Sequence, residues 1–138
     1  MKKWVIPDLH GCEKTLKAMV EEHIKPEKSD LLYFLGDYID RGPNPKGVLD
    51  YIMKLEGEGF QVRPLRGNHE EYMLLAYKNS KPKKRHFFFW KPENRLFDEW
   101  LKHGGRYTLN SFKVKRVEDI PEKYIRWIEN LNHFFEED

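Results

Sequence analysis

The sequence has little cysteine, no long apolar run and almost no net charge. Its 138 residues contain one cysteine, Cys12, which excludes an internal disulfide and a zinc knuckle. No apolar run approaches the ~18 residues of a membrane-spanning helix, and the apolar stretch after Met1 is too short for a signal peptide. Lysine and arginine number 25 against 23 acidic residues, which argues against a generally basic nucleic-acid binder. We therefore expect a soluble, cytoplasmic protein with no membrane partner.

The residues that are present predict an α/β fold. Three apolar runs of strand type, at 3–6, 31–35 and 60–65, alternate with segments whose apolar residues recur at helical spacing. Strands that alternate with helices are typical of a parallel sheet with flanking helices. The length suits one domain, which we take to be 1–138.

Polar residues follow each predicted strand. Ligands bind beyond the carboxyl ends of parallel strands, and carboxylate, imidazole and amide groups together suit Mn²⁺, Fe or Zn²⁺. An arginine can hold phosphate through its planar fork. The three blocks are Asp8-x-His10-Gly11, Gly36-Asp37-x-x-Asp40-Arg41-Gly42 and Gly67-Asn68-His69-Glu70.

These blocks resemble the signature motifs of the calcineurin-like metallophosphoesterases, in the serine/threonine phosphoprotein phosphatase branch. Gly-Asp-Tyr-Ile-Asp-Arg-Gly and Gly-Asn-His-Glu match that pattern completely, whereas Pro7 stands where the family usually has glycine. Trp100, Gly104-Gly105 and Thr108-Leu109 are similar to the small bacterial form of these phosphatases. The resemblance implies the N-terminal half of the family's ββ sandwich, with helices on the outside.

The resemblance also implies roles for individual residues. A hydroxide that bridges two divalent ions (Mn, Fe or Zn) would attack phosphorus directly, without a phosphoenzyme. His69 would protonate the leaving oxygen and Asp40 would orient His69. Arg41 and Arg66 would bind phosphate. The implied metal ligands are Asp8, His10, Asp37 and Asn68.

The family pattern also contains two histidine ligands and an arginine in its C-terminal half. Neither His103 nor His133 has the sequence context of those ligands. We therefore expect an apparently truncated domain that binds one metal ion or none and has very low activity alone. An open sheet face and an exposed stripe around Trp127 would then favour self-association.

The substrate is expected to be a phosphorylated protein or a small phosphoester, and two alternative functions stay open. One is a dinucleoside polyphosphate hydrolase, although that sister group usually has aspartate where Glu70 stands. The other is a shortened, inactive binding or assembly module. The basic, aromatic segment 78–91 could be a solvated loop, a substrate-facing lid or a single-stranded nucleic-acid contact; the solvated loop is favoured.

Overall fold

A computed structural model describes residues 1–80 and 95–137, so most of the basic, aromatic segment 78–91 lies outside the described residues. A π-helical turn, Met19–Ile24, extends the first helix. A kinked segment, Leu101–Gly105, in which Gly104 has a φ of 102°, joins the helix that ends at Trp100 to the helix that begins at Arg106. In chain order the elements are β1 (Lys3–Ile6), α1 (Glu13–Ala18), β2 (Leu31–Phe34), α2 (Pro45–Gly57), β3 (Gln61–Pro64), α3 (Asn68–Ser80), α4 (Arg95–Trp100), α5 (Arg106–Phe112) and α6 (Glu122–Glu129).

The three strands form one parallel sheet in the order β1-β2-β3. Ile6 pairs with Phe34, and Phe34 pairs with Pro64, so all three strands end at the same edge. The predicted fold, a parallel sheet with flanking helices, is confirmed. Right-handed crossovers between strands in chain order place both connecting helices on the same side of the sheet.

The two faces of the sheet differ in burial. Ile6, Leu32 and Phe34 have no solvent-exposed surface and form the centre of the core with the helices. The opposite face, called the open face below, carries Val5, Tyr33 and Arg63 in register, and Val5 is 63% exposed. Among the described residues, this face is therefore more exposed than the face that packs against the helices.

The C-terminal part of the chain contacts this open face. The ring of Phe135 lies edge-on to Tyr33, with ring centroids 6.0 Å apart, and Glu137 pairs with Lys3. These contacts cover part of the open face with residues that follow α6.

Helix α6 contradicts one expectation. Its apolar residues Tyr124, Ile125 and Ile128 are buried in the core. Trp127 lies edge-on to Tyr38 with ring centroids 5.7 Å apart. The prediction that this stripe is exposed is therefore wrong, because α6 packs against the same core as the sheet.

The segment after α6 returns to the sheet edge. Leu65 and Asn132 form a single parallel bridge, in which the backbone N–H of Arg66 donates to the carbonyl of Asn132 at 2.8 Å. In residues 1–80 and 95–137, no helix is long and apolar enough to cross a membrane.

Candidate metal and phosphate site

The loops after β1 and β2 are joined by backbone hydrogen bonds. The N–H groups of Leu9 and His10 donate to the carbonyl of Asp37 at 3.1 and 2.8 Å, and that of Gly11 donates to Tyr38 at 2.9 Å. The two loops therefore form one unit, so the side chains of the first and second sequence blocks are held together at the carboxyl edge of the sheet.

Unfavourable backbone conformations are concentrated in this unit. Left-handed φ angles cost a non-glycine residue of the order of 1 kcal/mol or more. Such strain persists only where surrounding contacts fix it, and the interlocked loops supply those contacts. The residues concerned here are His10 (φ 38°), Asp37 (53°), Asp40 (69°) and Arg41 (65°).

Glu70 ties the loop after β3 to the loop after β2. Its side chain is completely buried. One carboxylate oxygen accepts hydrogen bonds from the N–H groups of Asp37 and Gly67 at 2.8 and 2.9 Å. The other accepts from Tyr38 and Ile39 at 2.7 and 3.3 Å. Burial raises the pKa of Glu70 to about 7, although the backbone donors oppose this shift.

The approach of these two loops also depends on Gly67. A Cβ atom at this position would lie 2.2 Å from Oδ1 of Asp37 and 2.4 Å from its backbone nitrogen. Any larger residue would push the third block away from Asp37, which explains glycine here.

Three of the side chains at this edge could hold a metal ion. The potential ligand atoms of His10, Asp37 and His69 lie within 4.8 Å of one another. Nδ1 of His10 is 2.8 Å from the carbonyl of Ile39. Because a carbonyl only accepts, Nδ1 donates, and in the neutral ring Nε2 then keeps its lone pair. A hydrogen bond of this kind commonly orients a metal-binding histidine.

Asn68 completes the donor set on the side of α3. Its side-chain amide faces the carboxylate of Asp37, and with the nitrogen turned to that carboxylate it donates to Oδ2 at 3.0 Å and to Oδ1 at 3.1 Å. A half-turn of the amide would bring its oxygen to face the same carboxylate, which is the arrangement that a shared cation favours. Imidazole, carboxylate and amide oxygen suit a divalent transition metal, so the residues present fit such an ion.

Asp8 stands apart from this group. It is exposed and is not a member of the three-residue cluster among the described residues. Its role as a metal ligand stays a prediction.

The two arginines predicted to bind phosphate have different surroundings. Arg41 is exposed, and its guanidinium has no hydrogen-bond partner within 1–80 and 95–137. The guanidinium of Arg66 donates to Glu71 at 3.1 Å and to the carbonyl of Glu129 at 2.6 Å. Arg41 is therefore available to an anion, whereas Arg66 already holds α3 and α6 together.

The predicted pair of Asp40 and His69 is present. Nδ1 of His69 lies 2.8 Å from Oδ2 of Asp40, and both side chains are buried. Burial raises the pKa of Asp40, whereas its hydrogen bonds to Thr108, His69 and Trp100 act in the opposite direction. Trp100 and Thr108 belong to the family resemblance in the sequence, but no sequence pattern predicts their contact with Asp40.

His103 is a further residue that the sequence did not place at the site. Its ring stacks on that of Tyr72 with centroids 4.5 Å apart, and it lies 6.1 Å from the ring of His69. The following residue, Gly104, accepts a hydrogen bond from the N–H of Arg41 at 3.3 Å. The turn between α4 and α5 thus borders the site.

Comparison with known families agrees with the geometry. The family model described as calcineurin-like phosphoesterase matches residues 1–138. The chain belongs to the calcineurin-like phosphoesterase family. The resemblance of the three sequence blocks to the motifs of this family is therefore confirmed at the level of the family.

The curated relatives of this calcineurin-like phosphoesterase include proteins named bis(5'-nucleosyl)-tetraphosphatase, symmetrical. The protein from Acidovorax sp. (strain JS42) is 32% identical over 107 residues, which cover 75% of the chain and 37% of the relative. The protein from Serratia proteamaculans (strain 568) is 35% identical over 88 residues, 62% of the chain and 30% of the relative. The chain thus spans about a third of the length of these relatives.

A solved structure supports the fold of this calcineurin-like phosphoesterase. A crystal structure described as that of a candidate diadenosine tetraphosphatase superposes with a TM-score of 0.60 at 19% identity. The superposition covers 95% of the chain and 43% of the other protein. At this identity the likeness establishes a shared fold.

Proposed function

We propose that this chain carries the metal and phosphate site of a metal-dependent phosphoesterase that hydrolyses dinucleoside polyphosphates. The observation that carries the proposal is the convergence of His10, Asp37 and His69 at the carboxyl edge of the sheet. Curated relatives that cover this part of the chain are named as symmetrical bis(5'-nucleosyl)-tetraphosphatases. These relatives support the alternative function over the serine/threonine protein phosphatase that the motifs first favoured.

Glu70 was the residue that argued against a dinucleoside polyphosphate hydrolase. Its side chain is completely buried, and its partners among the described residues are backbone N–H groups of the two loops. A residue in this position cannot contact a substrate. Glutamate rather than aspartate here therefore reflects how the loops pack, and it carries no information about the phosphoester.

His10, Asp37 and Asn68 would bind the metal, with Asp8 as a further ligand. When bound, a divalent ion such as Mn²⁺ would neutralise phosphate charge and lower the pKa of a water molecule. We expect these residues to bind one such ion or none. Neither His103 nor His133 has the sequence context of the two histidine ligands in the C-terminal half of the family pattern.

The remaining residues would act on the phosphate itself. Arg41 would hold phosphate oxygens through its exposed guanidinium. The oxygen of water forms the new bond to phosphorus, and the bond from phosphorus to the leaving oxygen breaks with its electron pair. The leaving oxygen would then take the Nε2 proton of the protonated His69 ring, while Asp40 accepts a hydrogen bond from Nδ1–H of the same ring. The attacking water would release one proton to solvent.

The test is hydrolysis of diadenosine tetraphosphate with Mn²⁺, followed by chromatography of the nucleotides. We expect slow turnover to a nucleoside diphosphate, and a loss of roughly 10²-fold or more in Asp37→Asn, because one electrostatic contact at the reacting group is worth that much. Asp98→Asn, an exposed position on α4, is the matched control and should keep the turnover of the unmodified chain.

Each other outcome supports a different function. Faster turnover of a phosphoserine peptide than of the dinucleotide would favour the protein phosphatase. Mn²⁺ binding without turnover of either substrate would favour the inactive binding module and contradict the proposal.

A further inference from the structure

Two side chains besides His69 donate hydrogen bonds to the buried carboxylate of Asp40. Nε1 of Trp100 lies 3.0 Å from both carboxylate oxygens, and Oγ1 of Thr108 donates to Oδ1 at 2.7 Å. The side chains of Asp40, Trp100 and Thr108 are completely buried. An indole N–H can only donate, so the contact with Trp100 requires Asp40 to act as the acceptor.

The hydroxyl of Thr108 holds both the backbone and the side chain of Asp40. It accepts from the backbone N–H of Asp40 at 2.9 Å, which leaves its own proton for Oδ1. Asp40 has a left-handed φ of 69°, a conformation that needs such support in a non-glycine residue. One hydroxyl therefore fixes the direction of this carboxylate.

The fixed carboxylate determines the arrangement of His69. Because Oδ1 receives Thr108 and both oxygens receive Trp100, Oδ2 is left to accept from Nδ1 of His69 at 2.8 Å. The proton of a neutral ring is then on Nδ1, and Nε2 is the nitrogen available to the site.

We propose that Trp100 and Thr108 are positioning residues that hold Asp40 and thereby direct Nε2 of His69 towards the leaving oxygen. The inference rests on the proposed function for the role of His69 as proton donor. Trp100 and Thr108 belong to α4 and α5 and act only through Asp40. They are fully buried, so they do not touch the substrate.

The first test needs no activity. Long-range ¹H–¹⁵N NMR spectra of the histidine rings, recorded where His69 is neutral, report which nitrogen carries the proton. We expect Nδ1–H in the unmodified chain and in Thr108→Ser, which keeps the hydroxyl. Thr108→Val and Trp100→Phe should give a mixture of tautomers. An unchanged Nδ1–H signal in both folded variants would overturn the inference.

The second test uses the leaving group. A misdirected proton donor slows release of a poor leaving group, such as an alkoxide, more than release of p-nitrophenolate. In Thr108→Val we expect the ratio of kcat for methyl phosphate to kcat for p-nitrophenyl phosphate to fall about 10-fold or more, within the range of general acid catalysis. Thr108→Ser should restore the ratio, and the exposed Thr15→Val should not change it.

These outcomes separate the two proposals. An equal loss for both substrates would mean that Thr108 is merely structural and would overturn the inference. An unmodified chain that hydrolyses neither substrate would contradict the proposed function, whereas the NMR result would still decide whether Trp100 and Thr108 set the tautomer of His69.

Discussion

Two completely buried carboxylates, Asp40 and Glu70, organise the site at the scale of single residues. Glu70 accepts hydrogen bonds from four backbone N–H groups and fixes the distance between two loops. Asp40 accepts from side chains and orients one imidazole. A buried charge is costly unless hydrogen bonds surround it. The stability of the folded chain therefore depends on the groups that donate hydrogen bonds to each carboxylate.

The pKa of Glu70 gives the metal-free chain a measurable pH dependence. Its folded value of about 7 exceeds the ordinary 4.5, so the folded state keeps a proton that the unfolded state releases. The resulting contribution to stability is present below pH 4.5 and is lost as pH rises to about 7. At 1.36 kcal/mol per pH unit, the loss amounts to as much as ~3 kcal/mol.

Urea unfolding between pH 5 and 8 measures this effect, and the raised pKa of Asp40 acts in the same direction. Glu70→Gln should be less stable at pH 5, because one side of its amide presents N–H groups to backbone donors. Its stability should also depend less on pH. Glu22→Gln, an exposed control, should behave like the unmodified chain. An identical pH slope for Glu70→Gln would contradict the assignment to Glu70.

At the scale of elements, the central strand β2 shows which structural features an apolar run in the sequence predicts. Residues 31–35 are a continuous apolar run, which is typical of a strand buried on both faces. In the structure Leu32 is completely buried, whereas Leu35, just beyond the strand, is 45% exposed. The apolar run predicted a strand but not the difference between its two faces.

Leu32→Ala and Leu35→Ala form a matched pair for this difference. Leu32→Ala removes a fully buried side chain and should lower the free energy of unfolding by about 2–5 kcal/mol. Leu35→Ala should cost less than ~1 kcal/mol, because much of this side chain stays in water when the chain folds. Chemical denaturation measures the free energy of unfolding of both variants. An equal decrease in the two variants would mean that the open face is covered.

At the scale of the whole molecule, the open face is the feature that sets behaviour in solution. Val5 is 63% exposed there, although Phe135 lies edge-on to the neighbouring Tyr33. Exposed apolar side chains on one sheet face, here Val5 and Leu35, favour association between molecules. Self-association through the open face is therefore still expected, whereas the stripe on α6 is excluded as its cause.

Light scattering at increasing concentration tests this expectation. The unmodified chain should form dimers or larger species, and Val5→Lys should shift them towards the monomer. Leu75→Lys places the same charge at a half-exposed leucine on α3, 39% exposed, and should leave association unchanged. A monodisperse monomer at high concentration would contradict a role for the open face.

Much of this protein follows from its sequence alone. The strands, their parallel order and the placement of Asp37, Asn68 and His69 at one edge depend on local patterns and on the rule that parallel strands end together. The pairing of Asp40 with His69 was predicted through the resemblance, since both belong to short motifs. These features are encoded in a few consecutive residues, which is why a single sequence reveals them.

Only the tertiary structure decided which groups support those motifs. Thr108 lies 68 positions from Asp40 in the chain, and Arg66 reaches the carbonyl of Glu129 across 63 positions. The same holds for the open face, since burial depends on which layers pack together. Contacts between distant segments leave no periodicity in the sequence, because each partner is compatible with many surroundings and only packing selects one.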